Sequence, residues 1–137
     1  MTSVTTTWQQ LAGDAAPLEE RIERLAPDRQ QQVRAVLEQV ATQPATPDGV
    51  AKAWQLVADA LPGLERPNFS GSGEGPNRSA LRGAAKAVLG SLVGRAAASM
   101  TRREDFDALL TTLKGLPAMR REDLETLTDE ARSRFKG

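Results

Sequence analysis

Apolar residues in this chain recur at three- and four-residue intervals almost from end to end. That spacing constrains the fold more than any other feature. A 3.6-residue period places i, i+3, i+4 and i+7 on one side of a helix, whereas a half-buried strand needs strict alternation. Val33, Val36, Leu37 and Val40 follow the helical spacing, as do Val50, Ala53, Trp54, Val57 and Leu61. The chain therefore reads as all-α, a compact bundle of about six helices. Composition agrees: 21 alanines stand beside eight valines and one isoleucine, Ile22. Alanine gives up no side-chain entropy in a helix, and strands favour the β-branched and aromatic residues that are scarce here.

Proline, glycine and capping residues punctuate this pattern. An opening segment with Val4, Trp8 and Leu11 breaks at Gly13, and a helix after Pro17 presents Leu18, Ile22 and Leu25 before Ala26-Pro27 interrupts it. Thr46-Pro47 reads as an N-cap followed by proline at the first helical position, and Pro62-Gly63 ends that helix. Trp54 lies in register with the apolar stripe and is expected to anchor the core. Residues 62–78 read as a Gly/Ser/Pro-rich loop whose centre, Ser70 to Gly75, is expected to be flexible. It separates a helical subdomain at 1–61 from one at 79–137, the two expected to form one unit.

Asn77 or Ser79 is the expected cap of a long helix reaching about Met100. Leu81, Ala85, Val88, Leu89, Leu92, Val93, Ala96 and Met100 are expected to form its apolar face, and Gly83, Ala87, Gly90 and Gly94 a second stripe of small residues. Each interior glycine costs about 1 kcal/mol relative to alanine. Three in one helix predict that another helix, or a partner, comes very close, and make this the expected central helix. Thr101-Arg102-Arg103-Glu104 has the spacing of a capping box. It opens a helix carrying Phe106, Leu109, Leu110, Leu113 and Leu116. The last helix carries Leu124, Leu127, Ala131 and Phe135, with acids early and bases late, as its dipole prefers. Ile22, Leu25, Val33, Val36 and Val40 align with Leu113, Leu116, Leu124, Leu127 and Ala131 at a constant offset, which suggests two similar helical hairpins.

The residue types present exclude much chemistry. Cysteine, histidine and tyrosine are all absent. That removes Ser-His-Asp and Cys-His nucleophile systems, thiolate and histidine metal sites, and disulfides. The reading is non-enzymatic, with no cofactor and no metal; an enzyme using carboxylates or a bound cation is the remaining alternative. Gly71-Ser72-Gly73-Glu74-Gly75 precedes a helix, but no strand comes before it and no Gly-Lys-Ser/Thr follows, so a phosphate-cradling loop is a poor match. Ser133-x-x-Lys136 falls where a helix frays. Glu122, Asp123, Glu125, Asp129 and Glu130 read as a solvated helix face. The sequons at Asn68 and Asn77 read as chance matches.

Net charge is zero but unevenly distributed: residues 67–103 carry six basic groups and one acid, between two mildly acidic stretches. Arg78, Arg82 and Lys86 stand at i, i+4 and i+8 on one helix face, with Arg102 and Arg103 beyond its end. Phosphate binding, in a nucleic-acid-associated regulator, is one meaning of such a row; pairing with the acidic flanks, within the fold or across an oligomer, is the other. The segment from Ile22 to Val40 resembles short helical stretches in some bacterial antitoxins, a generic pattern that assigns no family. Fourteen arginines against four lysines, with abundant alanine, suggest a GC-rich bacterial or phage source. Met1 to Gln10 carry no secretion signal and no run is long enough to span a membrane, so the expected location is the cytoplasm.

These observations favour a protein–protein interaction module: an adaptor, an assembly subunit or a partner-binding protein. Candidate contact residues are Gly83, Gly90 and Gly94 together with Arg78, Arg82, Lys86, Arg102 and Arg103. Another protein or a second copy is the expected partner, nucleic acid the alternative, and a membrane surface the least favoured.

Overall fold

Proline sets where most of the helices begin. In the computed structural model, which describes residues 8–64, 75–117 and 119–136, Pro17 sits in the first turn of α2 (Ala16–Glu23). Pro27, Pro47 and Pro76 are the first residues of α3 (Pro27–Ala41), α4 (Pro47–Ala60) and α5 (Pro76–Ala98). The fixed φ of proline suits a helix start, where its missing N–H would have no intrahelical partner. The residue before each of these last three prolines is extended, as the proline ring requires. The opening segment forms a short helix, α1 (Trp8–Ala12), closed by Gly13 at φ +82°, a left-handed conformation that favours glycine. α6 (Arg103–Lys114) and α7 (Arg121–Arg134) complete the chain. Among the described residues there are thus seven α-helices, one 3-10 turn at Leu61–Gly63 and no strand. Val4 and the centre of the predicted loop, residues 65–74, lie outside the described residues.

Two predicted caps are realised differently. Thr46 caps α4 as expected, its hydroxyl accepting from the Gly49 amide at 3.0 Å. The long helix, however, starts at Pro76 with Gly75 in the capping position. Asn77 is buried inside its first turn, and its side-chain amide donates to the Leu64 carbonyl at 2.7 Å. It fastens the start of α5 to the end of α4, and the Asn77 sequon is closed to solvent. At α6 the cap position falls on Arg102, one residue later than the capping box requires, and no side chain caps the helix. Glu104 then stands at the second helical position. Its carboxyl is held below its ordinary pKa by a hydrogen bond to its own backbone and by the Arg102 guanidinium at 3.4 Å.

The core is assembled around α5, which packs against α1, α2, α3, α4 and α7. With neighbours on so many sides, its burial extends beyond the predicted stripe to Ala80, Ala84, Gly94 and Ala97. Alanine and glycine allow those helices to approach, since interaxial distance follows the size of the side chains between them. Trp54 is buried, and its indole N–H donates to the Pro117 carbonyl at 2.5 Å, pinning α4 to the turn between α6 and α7. Phe106 and Phe135 stack at 4.2 Å and close the far end of α7 onto α6. Glu19 links the first three helices, accepting from Gln9 at 2.5 Å and pairing with Arg34 at 2.7 Å. At Gly49 an added β-carbon would fall inside the van der Waals shell of the Pro44 carbonyl, so the chain entering α4 can pass only over a glycine. No described helix is long and apolar enough to cross a membrane.

Candidate functional site

The outward strip of α5, between α1, α2 and α7, holds most of the residues singled out above. Its three glycines face three different environments. An added β-carbon at Gly83 would stand 3.3 Å from the Arg21 guanidinium, which lies across the helix there. At Gly94 it would stand 2.8 Å from the Glu130 carboxylate of α7. At Gly90 it would meet nothing within 4 Å among the described residues. Two glycines thus admit neighbours from within the chain, and the third opens onto a groove of about 410 Å³. Ala87, Gly90 and Ser91 lie along this groove, Leu11 and Ala12 of α1 line one flank, and Thr126 and Glu130 of α7 line the other. Arg134 pairs with Glu130 at 3.1 Å at its edge.

The basic row does not face solvent as a row. Lys86 reaches Asp123 on the first turn of α7, with Nζ 3.1 Å from the carboxylate. The Arg82 guanidinium sits 5.8 Å from the centre of the Trp54 ring, within cation–π range. Arg78 is half-buried in the first turn of the helix. Arg102 and Arg103 do not join these residues. They lie past the other end of α5, and a 23-residue helix is roughly 35 Å long. Both are exposed, pairing with Glu104 at 3.4 Å and Asp107 at 3.2 Å.

What the structure brings together instead is a cationic pocket of about 170 Å³ at the N-terminal part of the strip. Arg82, Lys86 and Ser79 come from α5, Arg21 from α2, and Arg120 and Asp123 from the start of α7. Arg21 and Arg120 were absent from the sequence-based set. Each sits on a different helix, far away in sequence, so no spacing rule could have joined them to the row. Gly83 carried the one usable signal, a demand for close approach, and the approaching group is Arg21.

Among the described residues no three acidic groups gather into a set that could hold a metal ion. Asp123 and Glu130, from the acidic run of α7, are engaged with Lys86 and Arg134. Ser133 donates to the Glu130 carbonyl at 2.9 Å in the last turn of α7. No protein-family model, curated protein or solved structure matches this chain.

Proposed function

We propose that this chain is a non-enzymatic protein–protein interaction module whose contact surface is the small-residue groove on α5. The observation that carries the reading is Gly90. A glycine in the interior of a 23-residue helix costs about 1 kcal/mol relative to alanine. Gly83 and Gly94 have neighbours inside the chain that use the missing side chain, and Gly90 has none within 4 Å among the described residues. On this reading the missing side chain at Gly90 serves an approach from outside. A floor of glycine, alanine and serine lets a partner helix come nearer than a leucine-lined face would allow. The lack of histidine, cysteine and tyrosine supports the non-enzymatic half of the reading.

The discriminating experiment is affinity capture from the native host by the tagged wild-type chain and by Gly90→Leu, with and without nuclease. The leucine should fill the groove without meeting the core and relieves the helix glycine penalty, so circular dichroism should match wild type and the thermal midpoint should be no lower. The expected result is a stoichiometric protein that survives nuclease and is lost with Gly90→Leu. Recovery of the same proteins by both forms removes the groove as the contact surface. A nuclease-sensitive yield puts the nucleic-acid reading first.

A further inference from the structure

α1, α2, α3, α4 and α7 each pack against α5, which makes that helix the hub of the fold. Among the described residues α6 is the one α-helix with no substantial packing on α5. It bridges α4 and α7 instead, through Phe106, Leu109 and Leu113, buried at i, i+3 and i+7. The rest of the helix is exposed or half-buried. Two contacts hold α6 near its ends. In its first turn Phe106 stacks on Phe135, the residue that follows the end of α7. Just past its last turn, the Pro117 carbonyl accepts from the Trp54 indole N–H. The chain enters α6 through exposed Thr101 and Arg102 with no side-chain cap, and leaves it over exposed Gly115.

We infer that α6 is an opening brace: it releases as one unit from α4 and α7 while the hub around α5 stays folded. Sub-global openings release contiguous elements whose loss leaves the remaining core intact. Each of the other described α-helices shares packing with α5, so its release uncovers the hub. Release of α6 uncovers only the surface that Phe106, Leu109 and Leu113 fill. The two end contacts are both broken in this opening, and they set how often it occurs. No α6 residue lines the groove on α5, so the opening is independent of contact there.

The test is residue-resolved native-state hydrogen exchange on the full chain, from water to sub-denaturing urea. Amides at 109–114 are expected to exchange at least about tenfold faster than those at 88–93 in α5. Their rates should also depend less steeply on urea, because the slope follows the surface exposed. Two variants separate a local opening from global unfolding. Ile22→Val trims a buried side chain of the hub, far in sequence from α6. It should speed exchange in α5 by about fivefold and leave α6 unchanged, since the opening of α6 keeps the packing of Ile22. Phe135→Ala removes a contact that the opening breaks, and should speed exchange in α6 by about tenfold. Gly90→Leu should leave exchange in α6 unchanged, so this inference and the groove fail separately. Equal rates and equal urea slopes in α6 and α5, or α6 speeding together with α5 in Ile22→Val, would make α6 part of the hub and overturn the inference. Exchange in α6 unmoved by Phe135→Ala would overturn the role of the stack in holding the brace shut.

Discussion

At Gly94 an added β-carbon would stand 2.8 Å from the Glu130 carboxylate; at Gly90, one turn earlier on the same helix, it would meet nothing within 4 Å among the described residues. In the sequence the two positions are equivalent, both glycines in one stripe of one helix. The difference comes from α7, whose Glu130 and Arg134 lie over Gly94 and only border the space above Gly90. One face of a helix can therefore be closed packing at one turn and open surface at the next. A small residue by itself reports close approach without saying whose.

Substitutions that test this contrast should fall in a definite order. Gly49 is more closed than either, since a β-carbon there would run into backbone that no side-chain rotation can clear. Gly49→Ala should cost about 3 kcal/mol, at the upper end of overpacking penalties, measured by urea unfolding. Gly94→Leu should cost about 2 kcal/mol, because the crowding atoms belong to the Glu130 and Arg134 side chains, which can swing aside. A wild-type midpoint in Gly94→Leu would erase the contrast. Gly90→Ala should act in the opposite direction, stabilising by about 0.5–1 kcal/mol, since it relieves the glycine penalty without a clash. A loss of stability there would mean the groove is closed in solution.

The smallest effect belongs to Glu104, fully exposed at the start of α6. Its folded pKa is depressed, so its contribution is complete above its unfolded pKa and fades as pH falls through the folded value. The difference in thermal midpoint between wild type and Glu104→Gln should shrink toward zero across that acidic range. A constant difference at all pH values would show that the carboxylate charge plays no part.

Much of the fold was legible in the chain because helical period and proline are local signals. Val33, Leu37 and Val40, then Val50, Ala53, Trp54 and Val57, are buried where their spacing placed them. Thr46 and Pro47 open α4 as their types required. The start of α5 was misplaced because Asn77 is a good capping residue whose side chain found a better partner in Leu64, thirteen residues back. The box at Thr101 failed by one residue of register, a margin that local spacing cannot resolve. The candidate site was legible only in part. Lys86, Arg82 and the glycines were in view, but Arg21, Arg120 and Asp123 joined them only through packing.

The sequence alone determined the class of structure, the helix stripes and the absence of histidine, cysteine and tyrosine, because these depend on residue type and on spacing within a few turns. Tertiary structure decided which cations converge, which glycine is covered and which stays open, because each depends on where α1, α2 and α7 settle along one side of α5. Those contacts join residues remote in the chain, and no local period encodes them.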